Sequence, residues 1–529
     1  MRFQFAALLS ATVMFPSAAY AEWWEAKTDH FIVYSESSAA DAKEFAEKME
    51  RVDISLRSLQ NVDFSPIKSD SQRLTVFRTG DTRDIGRLAG SGSVAGFYIP
   101  RLGGSVSFTP AKNEKRGTGE LLGARGRSSK TDLDPQSVMF HEYTHHFMFQ
   151  HFSAAYPSWY VEGFAETAAT MVLNDDGSFH LGNPPQYRSD ALFGNYINVP
   201  VERLLASRNK PTGEDFYAYY SVGWLLNHYL TFEPSRKGQL KQYLRAINAG
   251  TAPAEAARAA FGDLDKLNRE LIKYKSGRLP GVQVRPANYS PPQVTMRRLA
   301  SDEEAVMDVV MRSKRGVDKK LAPDVARDAQ QIAQRLPGSF AAQLALAEAE
   351  LDWSDFDASR LPAAEAAVDR ALAIKPDSID AQIIKGRIHF ERGRTDKAQM
   401  AAARTWFSKA FENDSDHPTP LYYNYLTYYY EGVTPPESAV IGLEKAYDMA
   451  LFDPEVRLVL ARQLLAEKKG PLARSILMPY AIAPHESKNA KKMRDVVDLI
   501  EANKVDEAYK KLSADMAEAE RKRRSGDDS

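Results

Sequence analysis

Met139 to Phe149 read MFHEYTHHFMF, which sets His141 and His145 four residues apart with Glu142 directly after the first. Four helical residues turn about 400°, so on a helix both imidazoles leave the same face and can grip one metal ion. Neutral imidazole suits zinc, whose open coordination position can hold water. Glu142 lies beside that face and can take a proton from that water. With the histidine content of this chain, His-Glu-x-x-His arises by chance on the order of once per hundred chains of this length. The competing reading is a helix with hydrogen-bonded core histidines.

Zinc needs a third protein ligand, and a second predicted helix offers one. WYVEGFAE places Glu162 and Glu166 four apart and on one helical face. Glu162 sits among Trp159, Val161 and Phe164, a setting in which an unpaired carboxylate is costly. Glu166 can accept a hydrogen bond from the far nitrogen of a ligand histidine, fixing its tautomer and raising its basicity. The alternative for the pair is two solvent-facing charges.

HEYTH followed by VEGFAE resembles the gluzincin metallopeptidases of the thermolysin type, whose pattern is His-Glu-x-x-His and then Glu-x-x-x-Asp/Glu. More closely, the chain is similar to the bacterial peptidase-MA-like proteins, whose Trp-x-x-Glu-Gly-x-Ala-Glu motif Trp159 to Glu166 reproduces. Their later Tyr-x-x-x-Trp-x-Leu-x-x-Tyr-Leu stretch is matched by Tyr220, Trp224, Leu226, Tyr229 and Leu230. The resemblance covers roughly residues 28–275 together with a repeat region further on. It implies that His141, His145 and Glu162 hold zinc, that Glu142 is general base and then acid, and that Glu166 supports a ligand histidine. It also implies that Tyr220 stabilises the oxyanion of a tetrahedral intermediate, a contribution of about a few kcal/mol. Tyr217 and Tyr219 stand beside Tyr220 and remain open for that role, as does a purely packing role for Tyr220. Aminopeptidases of this clan carry Gly-x-Met-Glu-Asn, absent here, which favours endopeptidase action on a peptide or protein substrate.

Two rivals stand beside that reading. One is a non-catalytic periplasmic scaffold or binding protein acting through its repeats. The other keeps the enzyme but places it with periplasmic repeat-bearing metallopeptidases that act on outer-membrane proteins, whose third-ligand motif lacks the Glu-Gly-x-Ala-Glu form. His146 and His151 fall off the ligand face and read as packing or surface histidines. Gly90-Ser91-Gly92-Ser93-Val94-Ala95 formally matches a dinucleotide-binding pattern but leads into a strand, so the phosphate-cradling geometry is missing.

The elements that must position these groups form an α+β pattern. His30–Tyr34, Leu74–Phe77, Val94–Ile99 and Ser105–Phe108 read as strands. Phe45, Met49, Val52, Leu56 and Leu59 step by four and three along a helix. Ser105–Phe108 reads as a sheet edge above the zinc, able to pair with an extended substrate. Residues 112–133 read as a polar mobile loop. Asp134 and Pro135 then open the motif helix as cap and first residue. A second helix begins near Ser158, and a third contains YYSVGWLLNHYL.

Residues 276–293 hold four prolines and two glycines and read as a linker. Beyond it the pattern is all-helical. Pro337, Pro376 and Pro454 stand 39 and then 78 residues apart, Ala342-Gln343 and Ala381-Gln382 share a register, and the stretch resembles tetratricopeptide repeats. The domains expected are therefore an export signal at 1–21, a gluzincin-like domain at 22–280, and a linker with a connecting helix at 281–325. A tetratricopeptide-like helical domain at 326–515, open to a protein partner, and a polar, disordered tail at 516–529 complete the chain.

Composition sets the outer bounds. The 529 residues are 43% hydrophobic and 26% charged with net charge −1, so no general field draws the chain to nucleic acid or anionic lipid. Arg2, the apolar run Phe5–Phe15, Pro16 and Ala19-Tyr20-Ala21 fit a cleavable export signal cut after Ala21, hence a periplasmic or secreted protein. No later run reaches the length of a membrane span. The chain has no cysteine, which excludes disulfides, thiol nucleophiles and thiolate ligands.

Overall fold

The computed structural model describes residues 22–65, 67–91, 94, 96–112, 135–188, 192–193, 200–206, 215–287, 289–481 and 488–526. The expected signal at 1–21, the loop after residue 112 and the capping Asp134 lie outside the described residues. The chain is mixed α/β at first and helical towards its C-terminus, and no described helix is long and apolar enough to cross a membrane.

The first unit holds β1 (Trp23–Lys27), β2 (Phe31–Glu36), α1 (Ala39–Gln60), β3 (Leu74–Arg78), α2 (Thr82–Ala89), β4 (Phe97–Ile99) and β5 (Val106–Thr109). Together with a later strand, β9 (Thr295–Arg298), they form a six-stranded sheet in the order β4-β5-β3-β2-β1-β9. β2, β3 and β5 run parallel, and the flanking pairs are antiparallel. Alternation of side chains gives this sheet two apolar faces. On one, Phe31, Val33 and Val76 meet Ala46, Met49, Val52 and Leu56 of α1. On the other, Tyr34, Phe77, Phe108 and Phe97 stack in a row across the strands, with ring centroids 4.7–5.6 Å apart.

Four helices carry or flank the motif residues: α3 (Pro135–His151), α4 (Ser158–Ala169), α5 (Val201–Ala206) and α6 (Asp215–Phe232). α7 (Gln239–Asn248), α8 (Pro253–Phe261) and α9 (Leu264–Lys275) build a second core with α4, α5 and α6 around Trp159, Trp224 and Tyr243. A small sheet of β6 (Val172–Leu173), β7 (Phe179–Leu181) and β8 (Val282–Val284) lies beside it.

Three expectations are corrected. The stretch 276–293 does not merely link domains: β8 pairs with β7, and β9 just beyond pairs with β1. Both are edge strands, where neighbouring prolines cost no ladder hydrogen bond. The sheet's edge near α3 is β4, since β5 is flanked by β4 and β3. The tail is helical: α21 (Val505–Ser525) runs through most of the segment expected to be disordered.

The C-terminal region consists of helical pairs. α10 (Ser301–Arg315) and α11 (Ala322–Arg335) are followed by α12 (Phe340–Ser354) with α13 (Leu361–Ile374), and α14 (Ile379–Gly393) with α15 (Gln399–Asn413). Then come α16 (Pro418–Glu431) with α17 (Glu437–Met449), α18 (Pro454–Ala466) with α19 (Gly470–Ala481), and α20 (Lys488–Glu501) with α21. The proline register has a local cause. Gln343 Nε2 donates to the Pro337 carbonyl at 3.2 Å, and Gln382 Nε2 to that of Pro376 at 2.9 Å. Ser339 and Ser378 cap the helices that follow.

The helical region is packed onto the sheet. Met307 and Met311 of α10 cover its aromatic face with Ile85 of α2. The β4–β5 turn inserts among the helices: Leu102 N donates to Asp453 Oδ2 at 2.7 Å. A Cβ on Gly103, whose φ is +82°, would collide with the Thr419 side chain.

Candidate metal centre

α3 carries HEYTH with His141 and His145 towards Glu162 of α4. The crossing of α4 and α6 is unusually close because glycines meet there: a Cβ on Gly163 would come within 2.5 Å of the Gly223 carbonyl oxygen. Gly163 follows Glu162 and Gly223 stands one turn after Tyr220, so this contact fixes two site residues together. Glu162 and Glu166 are each 1% exposed.

Three side-chain atoms converge. His141 Nε2 and His145 Nε2 are 3.1 Å apart, and Glu162 Oε2 lies 3.3 Å from the first and 3.4 Å from the second. Two donors on a tetrahedral ion with bonds of about 2.05 Å stand ~3.3 Å apart, so the set fits one such ion. Among the described residues His145 Nδ1 is buried without a hydrogen-bond partner. Burial alone would lower the pKa of His141; the Glu162, Glu166 and Glu142 carboxylates outweigh it and push the value up to about 9. The same histidines hold Glu162 well below the usual carboxylate range, against the opposing effect of burial.

Glu166 stands 3.7 Å from His141 Nδ1, an ion-pair distance and longer than a hydrogen bond. Its closer partners were not foreseen. Tyr187 Oη donates to Glu166 Oε2 at 2.6 Å, and Arg188 Nη2 to Oε1 at 2.9 Å. Arg188 also lies over the Tyr220 ring, 4.8 Å from its centroid, a favourable cation–π placement. These two residues come from a single 3-10 turn, Gln186–Arg188, between β7 and α5, too short for a spacing rule to point at them.

Of the two tyrosines whose side chains are described, Tyr220 is the one beside the histidines of α3, its ring 6.3 Å from that of His141. Burial, then the Glu162 carboxylate, raise its pKa far above the usual range. Tyr219 turns to Ser158, its hydroxyl against that of the serine. The Tyr217 side chain lies outside the described residues. Glu142 is half-buried, and its charge acts on both His141 and Tyr220.

The opposite face of α3 is occupied differently. His146 is buried, accepts or donates at Nδ1 with Tyr98 Oη at 2.9 Å, and packs on Phe452. Burial pushes its pKa down to about 3. Tyr143 Oη donates to Asp53 Oδ1 at 2.5 Å, and His151 meets Arg57 at 3.3 Å. A second set of possible ligands, His30, Glu50 and Asp53, lies here. Asp53 is already engaged by Arg57 Nε at 2.5 Å and by Tyr143, and Glu50 takes the His30 backbone N–H at 3.1 Å and its Nδ1 at 2.6 Å. A cavity of about 500 Å³ opens on this side, lined by His30, Tyr143, His146 and Gln150 with Asp416 and Lys445 of the helical region.

A scan against models of known protein families finds no match, and no curated protein matches the chain.

Proposed function

We propose that this chain is an exported zinc-dependent peptidase of the gluzincin type, with a tetratricopeptide-like region built against its catalytic unit. The observation that carries the reading is the convergence of His141 Nε2, His145 Nε2 and Glu162 Oε2 at 3.1–3.4 Å, with Glu142 next along the helix. Two imidazoles and one carboxylate are the donor set of catalytic zinc sites that keep a position open. When bound there, zinc supplies a Lewis acid that polarises a carbonyl and makes water acidic.

The chain's own residues do the rest. Glu142 receives the proton of the attacking water at its carboxylate and returns it to the departing amine. The Tyr220 hydroxyl, held by the Arg188 guanidinium over its ring, donates to the oxygen that gains charge. Arg188 and Tyr187 fix Glu166, which lies beside His141 Nδ1 and favours the tautomer with Nε2 turned to the metal. The substrate backbone is taken up at β4, an edge strand of the sheet among the described residues. Gly96, at its start, packs on Val138 one turn before Glu142.

The test joins metal content to turnover. Purified protein should carry about one zinc per chain and cleave an unfolded exported protein, and Glu142→Gln should keep the metal and lose the cleavage. Zinc held by both proteins with no member of a broad peptide library cleaved by wild type would put the scaffold reading first.

A further inference from the structure

The basic run at the end of the chain has a surface of its own. Asp352, Glu391 and Tyr430 hold one register position, 39 residues apart, near the C-terminal ends of α12, α14 and α16. The last turns of α21 pass this row in order. Glu520 pairs with Arg394 and accepts from Tyr430 Oη at 2.9 Å. Arg524 reaches Glu391 and Arg523 reaches Asp355, each at 2.7 Å. Lys319, before α11, donates to the Ser525 carbonyl at 3.4 Å. One helix end thus touches the α10–α11 connection and the C-terminal ends of three alternate helices, α12, α14 and α16.

The way α21 is held changes along its length. Ala508 and Leu512 are buried, and Tyr509 and Met516 pack on the same core. From residue 517 to 526 the sequence is AEAERKRRSG, with no apolar side chain larger than alanine. Its pairs with the repeats are partly open to water: Arg523 is 48% exposed and its partner Asp355 19%. Ion pairs of that kind are weak and fade with salt. The surface beneath is acidic: burial alone would lower the pKa of Arg523, and the Asp355, Glu455 and Glu391 carboxylates outweigh it, while Asp352 stands within electrostatic reach of Asp355. It also presents ring faces that already accept guanidinium groups, Arg394 lying 4.4 Å from the Tyr430 centroid.

We infer that Asp352, Asp355, Glu391 and Tyr430 form a docking face for a basic helical segment of another protein, and that residues 517–526 are its displaceable occupant in cis. The inference is independent of the metal reading, because none of these residues touches the α3–α4 site. A tethered occupant is present at roughly millimolar effective concentration, so a free segment competes poorly until the tether's end is released.

The test uses the full chain and a helix-stapled, labelled peptide of residues 513–526 as probe. Arg523→Glu with Arg524→Glu should free the face, and the probe should then bind at least about tenfold more tightly than it binds wild type. Raising salt from about 50 to about 300 mM should weaken that binding steeply, and adding Glu391→Lys should abolish it. Equal affinity for wild type and the freed variant, or indifference to salt and to Glu391→Lys, overturns the inference. So does concentration-dependent dimerisation of wild type that buries α21, which would make a second copy the occupant. Should the variant fail to fold, hydrogen exchange on wild type decides. Residues 517–525 should lose protection at high salt while the turn around Leu512 keeps it, and equal protection in both segments sinks the proposal.

Discussion

The two sides of α3 hold the same kinds of residue and put them to different use. On one side His141, His145 and Glu162 aim three lone-pair atoms at a common point. On the other, His30, Glu50 and Asp53 are as close together, yet Arg57 and Tyr143 already donate to Asp53, and His30 to Glu50. Proximity and burial alone do not separate a ligand set from a charge network. What separates them is the arginine: Arg57 is a fixed cation that already neutralises Asp53, so a metal ion placed there would meet a like charge.

The largest expected effect tests the first side without touching its ligands. Glu142→Gln keeps size and removes basicity, so cleavage should fall by about a hundredfold to ten-thousandfold with zinc content unchanged. Turnover at the wild-type rate would remove Glu142 from the mechanism.

The next pair of variants breaks the symmetry directly. His145→Ala should lose the metal, whereas His146→Ala, one residue on but facing Tyr98 and Phe452, should keep it. Asp53→Asn should also keep the metal, but it strands the buried Arg57 guanidinium and should cost about 3–5 kcal/mol in urea denaturation. Metal loss in Asp53→Asn, or full stability, would erase the distinction drawn between the two faces.

A smaller effect belongs to Glu166. Replacement by Gln weakens its hold on Arg188 and its pull on His141, and partners of this kind are commonly worth about 10–100-fold in affinity or activity. Metal titration and kcat should both move. A change confined to thermal stability would make Glu166 a packing residue.

How far the sequence carried this picture depends on the range of the interactions. His141, Glu142, His145, Glu162 and Glu166 are legible because helical spacing is local and decides which side chains share a face. Tyr187 and Arg188 were invisible because a single 3-10 turn of three residues delivers them, too short to carry a period. β8 and β9 read as linker because three or four residues between prolines carry no strand signal; their pairing partners lie 101 or more positions away, in β7 and β1. The end of α21 read as a disordered tail for a related reason: it lacks apolar residues, and the acidic groups that hold it, Asp355 and Glu391, are contributed by α12 and α14.

The smallest effect contrasts two buried aspartates. Burial alone would raise the pKa of Asp53, but His30, Arg57 and Tyr143 outweigh it and hold the value below 3.8. Its contribution is present above its unfolded pKa and is lost as pH falls through the folded one. Asp453 caps α18 and accepts from Leu102 N, with burial as the dominant influence and no cation among the causes of its shift; its pKa rises from 3.8 to about 6. The sign is opposite. Between these values the native state binds more protons than the unfolded chain, so stability rises as pH falls through 6 towards 4. From pH 7.5 to 4.5 this group alone should add ~2 kcal/mol, following the linkage relation. Asp453→Asn removes the titration and keeps a capping oxygen, since asparagine caps about as well as aspartate. It also replaces the acceptor of Leu102 N by an amide that cannot accept, so stability at pH 7.5 should lie near that of wild type, the relieved charge offsetting the orphaned N–H. The readout is therefore the slope: the wild-type-minus-variant difference in urea stability should shift by ~2 kcal/mol between the two pH values. A difference that stays flat would mean that Asp453 is solvated in the folded protein, and that the seam between the β4–β5 turn and the helical region is wet rather than sealed.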